Sequence, residues 1–409
     1  MTLNAGLASR TNIDQTEHNA STAISAAAPA AVGEAAPAVI AHGVESDQAA
    51  FFAKKPSSFE YLMRAQKLSG RGALELTREF VGLSFGRGKL SLQEYVQYGV
   101  YDNKRYTPEQ QSRFLSNLMH WPLTHLCCDM TWQATTEDKW LCSHILHRSN
   151  IAIPSNLAII DASGRKYIGI EKITTGAQLR DFVRVNGLRQ FFGKENRGIC
   201  SFGAFLVEDA DDTALHLRGH GPVDYDTLVQ KFVGETGYLL QALQSNHPFF
   251  ARYTQSLATI RVCILYNGGG VKIPFAVLKL ASGKNIADNF WRPGNLACGI
   301  EVASGRILRV RSKDFLGTTE YAAHPETGAA MIGETLPMWD RVLELVRECA
   351  PIFAPVRYQS MDIAITPDGP MLIEINTGGG FDLPQLATGE GFLTDEVIEF
   401  FKSCGYKKF

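Results

Sequence analysis

The sequence predicts an α+β protein of more than one domain. Three observations point there: 409 residues are too many for one simple core, strand-length apolar runs alternate with helix-period segments beyond about residue 122, and the C-terminal part carries a hairpin whose arms alternate with period two. Hydrophobic residues make up 45% and charged residues 20%, as in an ordinary globular chain. A net charge of −2 excludes broad attraction to nucleic acid or an anionic membrane, so neither partner is expected and any basic site must be local. No segment approaches the ~20 uninterrupted apolar residues that cross a bilayer. The alanine-rich stretch from Ala23 to Ala41 is broken by Pro29, Glu34 and Pro37 and lacks the basic start and leucine-rich centre of a secretory leader. None of the eight cysteines forms a Cys-x-x-Cys pair, which suits reduced thiols and a cytoplasmic location.

Residues 1–50 are rich in Ala, Ser, Thr and Asn with little to bury, and are expected as a disordered tail. Residues 51–125 read as helical. Phe59, Leu62 and Met63 share one helix face, and Thr107 followed by Pro108 is a helix start ahead of Phe114, Leu115 and Leu118. Beyond Trp121-Pro122 a helix is expected from Asp138, strands at Leu157–Ile160 and Lys166–Ile173, a helix over Thr175–Val185, and a glycine-containing loop from Gly193 to Gly203. Further strands are expected at Tyr238–Leu243, Thr259–Tyr266, Val271–Leu280 and Arg306–Arg311, then a helix over Gly333–Cys349.

The hairpin carries the chemistry. With Pro367, Asp368 and Gly369 as a three-residue loop, Thr366 pairs with Pro370 and Ala364 with Leu372, so Asp362 falls opposite Glu374, and Asn376 lies two residues on along the same face. Two carboxylates side by side repel unless a cation lies between them, and oxygen-only ligands suit Mg²⁺, with Mn²⁺ also accommodated. Met361, Ile363, Leu372, Ile373 and Ile375 make the arms too apolar for an exposed ribbon. The glycines of Thr377-Gly378-Gly379-Gly380 let backbone amides approach an anion. Lys279, inside the apolar run from Val277 to Leu280, is costly to bury unpaired and is expected to face a cleft. Asp288, Asn289, Arg292 and Asn295 form a polar loop suited to phosphate or acceptor.

The hairpin, together with Leu92-Gln-Glu-Tyr95, Asp138-Lys139, Phe192-Gly193-Lys194, Gln241 with His247-Pro248, Ala258-Thr259-Ile260-Arg261 and Asp288-Asn289-Phe290, resembles the ATP-grasp superfamily, in its sugar-transfer-associated, glutamate-ligase-like branch. The resemblance implies two α+β lobes, 126–240 and 241–409, clamping ATP. It implies that Lys139 and Lys194 bind phosphates, that the stretch from Arg197-Gly198 to Gly203 closes over them, that Gln241 ends the adenine hinge, and that Asn289 serves the nucleotide. Arg261 and Lys279 would be the catalytic cations, with Asp362, Glu374 and Asn376 holding magnesium. Relatives place an acid after the hinge glutamine, where this chain has Ala242. From the residues alone, Lys139 and Lys194 also suit solvated positions, and Arg261 also suits pairing with a buried acid.

The activity expected is ATP-dependent joining of a small-molecule carboxylate to an amine through an acylphosphate, linked to cell-envelope polysaccharide or secondary-metabolite synthesis. Phosphoryl transfer to a hydroxyl and a non-catalytic nucleotide-binding role are the alternatives, and homodimerisation is left open.

Overall fold

Three reciprocal capping boxes set where the N-terminal helices begin. Ser57 with Glu60, Ser91 with Glu94 and Thr107 with Gln110 exchange side-chain and backbone bonds, satisfying amides that a helix start leaves free. The structure is a computed structural model describing residues 43–52 and 56–409. Its first helices are α1 (Gly43–Phe52), α2 (Ser58–Ser69), α3 (Ala73–Phe85), α4 (Leu92–Gln97), α5 (Pro108–Ser112), α6 (His120–Cys127), α7 (Gln133–Glu137) and α8 (Lys139–Arg148). The tail expected over 1–50 lies outside the described residues up to 42. Its last part is instead helix α1, because Val44 buries against the core of the first lobe and gives the segment a packing partner.

The first lobe contains β1 (Asn156–Ile160), β2 (Glu171–Ile173), α9 (Gly176–Val185), β3 (Phe191–Glu195), β4 (Phe205–Ala210), β5 (Ala214–Leu217), β6 (Gly221–Asp224), the short α10 (Tyr225–Thr227) and β7 (Tyr238–Gln241). Its seven strands run in the order β2-β1-β7-β3-β4-β5-β6, with only β1 and β2 parallel. The strand expected over Lys166–Ile173 shrinks to Glu171–Ile173, since Asp161 accepts the Ser163 amide at 2.7 Å and turns the chain before it. Gly193 lies in β3, so the glycine-containing loop starts only at residue 196. The strand expected over Tyr238–Leu243 ends at Gln241.

The second lobe contains β8 (Thr259–Tyr266), β9 (Val271–Leu280), β10 (Leu296–Glu301), β11 (Arg306–Lys313), β12 (Thr318–Tyr321), α11 (Trp339–Cys349), β13 (Tyr358–Thr366), β14 (Gly369–Thr377), α12 (Asp382–Thr388) and α13 (Asp395–Ser403). Its seven strands are all antiparallel, in the order β12-β11-β10-β9-β8-β13-β14. The helix expected over Gly333–Cys349 begins only at Trp339. The preceding segment is held by the β10–β11 turn instead, with Leu336 N bonded to Gly305 O at 3.0 Å and Ile307 N to Glu334 O at 2.8 Å. One face of this sheet buries Ile260, Val262, Leu278, Met361, Ile363 and Ile375 in the main core. Toward the other face, Val277 and Ala297 pack with Tyr61, Tyr95 and Tyr98, so the N-terminal helices rest on the second lobe.

Candidate functional site between the two sheets

The register of the second sheet builds the site. Asp362 pairs directly with Arg261 of β8 on one side and Glu374 of β14 on the other, and Arg261 pairs with Val277 of β9. Residues in register share a face, so Arg261, Asp362 and Glu374 form one row across three strands; Lys279, two residues beyond Val277, joins them diagonally. The Asp362–Glu374 pairing is the expected one, reached by a different route. The loop has two residues, not three: Thr366 pairs with Gly369, Ile365 with Pro370 and Ala364 with Met371, and a bulge that leaves Ile373 unpaired restores Asp362 opposite Glu374. Gly369 takes φ +141°, open to glycine, which lets β14 start one residue early, while Thr366 Oγ1 donates to Gly369 O at 2.9 Å.

Charges interlock along this row. Arg261 grips Asp362 with two bonds, Nε to Oδ1 at 2.5 Å and Nη2 to Oδ2 at 2.8 Å, and Lys279 Nζ lies 3.1 Å from Oδ2. Burial works against ionising Asp362, but Arg261 and Lys279 outweigh it and hold the carboxyl well below its ordinary range. Arg261 therefore does pair with a buried acid while lining the cleft. Lys279 also lies 3.5 Å from Asp288 Oδ1, whose other oxygen takes the Thr259 hydroxyl, and burial pushes that carboxyl upward.

The first lobe and α8 bring two more cations. Asp138 caps α8 by accepting Leu141 N at 3.0 Å, and Asn196 accepts the Lys139 and Trp140 amides at 3.0 and 2.8 Å. Those bonds tie the helix start to the head of the 196–204 loop. Lys139 Nζ then reaches Glu374 Oε1 at 3.1 Å and donates to Gly198 O at 2.5 Å. Lys194, on β3, lines the same cleft, and among the described residues no carboxylate pairs with it. Burial pushes its ammonium down to about 8, with Glu374 opposing and Lys139 assisting. Burial likewise disfavours charge on Glu374, yet Lys139 and Lys194 hold its carboxyl below the ordinary value. The cleft has a volume of about 680 Å³ and is also lined by Gly198, Gln241, Asn289 and Asn376. Gln241 is buried, and its Nε2 donates to Asn156 Oδ1 at 2.7 Å.

The family model of sugar-transfer associated ATP-grasp proteins matches residues 131–399. The chain belongs to that family. No curated protein matches by sequence. Among solved structures, the D-alanine–D-alanine ligase of Bacillus anthracis is similar at 13% identity, over 70% of this chain and 74% of that one, with a TM-score of 0.39. D-alanyl-alanine synthetase A of Vibrio cholerae is similar at 13% identity, over 68% and 67%, with a TM-score of 0.40. Biotin carboxylase of Campylobacter jejuni, in a complex with β,γ-ATP, is similar at 11% identity over 74% of this chain and 54% of that one, with a TM-score of 0.38.

In this ATP-grasp chain, the donor set can be tested against a magnesium–nucleotide directly. Lys139, Lys194, Arg261 and Lys279 face the carboxylates of Asp362, Glu374 and Asp288 at the centre of the cleft, four cations to three carboxylates, and Lys194 has no paired carboxylate of its own among the described residues, which suits a polyphosphate. Among the described residues no cluster of three His, Cys, Asp or Glu side chains could hold a metal alone. A hard ion that keeps waters and takes phosphate oxygens needs fewer protein ligands, and Glu374, Asn376 and a shared Asp362 meet that demand. Among the described residues Asn376 Nδ2 is buried without a hydrogen-bond partner; as a donor it suits a phosphate oxygen, while the metal would take the amide oxygen of the same side chain. The residues fit.

The triple glycine differs from expectation. Gly378 N donates to Tyr358 O at 2.8 Å and Gly379 N to His120 Nε2 at 3.1 Å, so two of the three amides are fastened to β13 and α6 and not turned outward for an anion. Asn117 Oδ1 accepts Phe381 N at 2.9 Å. His120 and Asn117 both line the cleft, lie outside the family-matched region, and escaped the sequence reading; the only signal was a polar-aromatic cluster, Asn117 to Trp121, just before the compositional break. Burial pushes the His120 imidazole down to about 4, so it stands neutral with Nε2 free to accept.

Proposed function

We propose that this protein is an ATP-dependent carboxylate–amine ligase. The observation that supports it is the convergence of Lys139, Lys194, Arg261 and Lys279 from both lobes around Asp362 and Glu374 in one cleft. Lys139 and Lys194 bind the polyphosphate, Gln241 lies beside the adenine at the end of β7, and Asn289 and the 196–204 loop cover the phosphates. Glu374, Asn376 and Asp362 hold Mg²⁺, which when bound neutralises phosphate charge. A substrate carboxylate oxygen attacks the γ-phosphorus, and the bond from that phosphorus to the β–γ bridging oxygen breaks, giving an acylphosphate and ADP. Arg261 and Lys279, already oriented by Asp362, stabilise the charge on the transferring group. An amine nitrogen then attacks the acyl carbon, phosphate leaves, and the amine loses a proton as the amide forms. A closed cleft protects the acylphosphate from water.

The site chemistry suits a small-molecule acid and amine. No described helix is long and apolar enough to cross a membrane. The decisive experiment incubates the protein with Mg·ATP, a panel of amino and uronic acids, and hydroxylamine. A ligase releases ADP together with a hydroxamate. ADP release with a phosphorylated hydroxyl and no hydroxamate would replace this reading with a kinase, and no change in melting temperature with Mg·ATP would remove both.

A further inference from the structure

The 196–204 loop is held from three directions, and one of the holders lies outside the family-matched region. Cys200 and Ser201 take φ of 55° and 54°, a left-handed conformation that non-glycine residues adopt at a cost unless their surroundings enforce it. The enforcing contacts come from the second lobe: Asn289 Nδ2 donates to Cys200 O at 2.6 Å, and Arg292 Nη2 to Ser201 O at 3.3 Å. The same Nη2 pairs with Asp47 Oδ2 of α1 at 2.8 Å, and that oxygen accepts the Gly203 amide at 2.9 Å. Helix α1 is itself seated on the first lobe, with Val44 in its core and Gly43 so close to the Phe232 ring that a Cβ there would lie 2.6 Å from it. Asp47 thus joins the loop's base, the first lobe and the second lobe through one carboxylate. Meanwhile Arg197, Ile199, Cys200 and Ser201 are exposed, so apolar burial anchors the loop only at its far end, where Phe202 lies in the first lobe's core, and leaves the 197–201 stretch to polar contacts.

We propose that Asp47 and Arg292 are positioning residues, forming a latch that holds the 196–204 loop across the cleft and sets how fast a phosphate-bearing ligand leaves. Opening it requires the Arg292–Asp47 pair to part, after which the Ser201 carbonyl loses its donor and the strained backbone relaxes. Both side chains are only partly buried, at 32% exposed for Asp47 and 24% for Arg292, so the pair is strong enough to bias the loop and weak enough to open.

Two measurements on the full chain test this, and the first does not depend on the proposed ligase activity. Trypsin cleavage after exposed Arg197, followed by mass spectrometry under native conditions, should run about fivefold faster in Asp47→Ala and in Arg292→Gln, the factor expected for a partly exposed ion pair. The double variant should be no faster than either single one, because both break one latch, and melting temperatures should stay near that of the wild type. Unchanged cleavage in the single variants, or effects that multiply in the double, overturns the latch. The second measurement follows dissociation of a fluorescent ADP analogue with Mg²⁺. It should quicken by about the same factor in each single variant, with Asp47→Glu recovering much of the loss. Equal dissociation rates in all proteins refute the gating role. If the wild type binds no nucleotide, the ligase reading fails while the cleavage result still decides whether the latch exists.

Discussion

Asparagine at position 362 should separate two duties that the hairpin combines. In the wild type Asp362 is 7% exposed and compensates Arg261, 21% exposed, and Lys279, 8% exposed. Breaking a buried ion pair by removing one partner costs about 3–5 kcal/mol. Arg261 borders the cleft and regains some water, and asparagine keeps one acceptor oxygen, so about 2–4 kcal/mol is expected here. In a domain of this size that is a fall in melting temperature of roughly 5–12 °C without any ligand. Glu374 differs: it is 27% exposed and bonds directly to one cation, Lys139, which also bonds Gly198 O, while Lys194 acts on it only through space. Glu374→Gln should therefore cost less than about 1 kcal/mol. With saturating Mg·ADP the wild type gains about 2.7 kcal/mol at a hundredfold excess over Kd, a gain that depends on the metal ligands, so the deficit of Glu374→Gln should appear mainly with ligand present, whereas that of Asp362→Asn is there already without it. The assay is thermal unfolding of both variants with and without Mg·ADP. The acid limit adds a check of sign: the native carboxyl of Asp362 lies below its unfolded value, so its contribution is present above a pH of about 3.9 and is lost as pH falls further, narrowing the gap to the wild type. Equal loss of ligand-free stability in the two variants, or an intact Mg·ADP shift in Glu374→Gln, would refute the division.

Three further outcomes are expected. Lys194 in the free protein gives up its proton near pH 8, so ADP affinity measured by calorimetry should weaken as pH rises past 8, and Lys194→Arg should flatten that limb. Gly378→Ala forces a side chain onto φ +75° and brings its Cβ to 2.7 Å from Thr124 Oγ1 and 2.9 Å from His120 Nε2, so urea unfolding should show a loss of about 2 kcal/mol or more. His120 is held neutral when folded but takes a proton at about pH 6.5 when unfolded, so stability should fall as pH drops from about 6.5 toward 4, by roughly 3 kcal/mol at most; His120→Gln should show a smaller fall over that range.

The sequence carried the hairpin because two arms of period two flank a turn-forming Pro-Asp-Gly, a local signal. Its register was legible only in outcome. A glycine extending β14 and a bulge at Ile373 shift the pairing in opposite directions, and both depend on neighbouring strands. Strands β4, β5 and β6 went unseen because they are short, half-exposed and joined by polar turns such as Asp211-Asp212-Thr213, which read as loop. Helix α1 was hidden for another reason: among its described side chains, Val44 seats on the first lobe and the Asp47 carboxylate bonds across to residue 292, contacts that no local pattern announces. Asn117 and His120 serve backbone amides some 260 residues away, which no local pattern reveals.

Why a fold should keep this row of charges is itself informative. A buried ion pair seldom stabilises more than well-packed apolar residues of the same volume, so Arg261, Lys279, Asp362 and Glu374 are a poor way to hold four strands together. The opposite face of the same strands shows the cheaper solution, with Ile260, Leu278, Met361 and Ile375 closing the core. Alternation thus gives each strand one face that stabilises the lobe and one whose charges are already desolvated and oriented before any ligand arrives. That preorganisation is what stabilising a transferring phosphoryl group requires, since donors fixed in advance need no reorganisation as charge develops. If the row were structural, replacing Arg261 and Asp362 together by methionine and leucine would leave or raise stability and leave nucleotide binding untouched. The geometry favours the other result: a protein at least as stable that no longer responds to Mg·ADP.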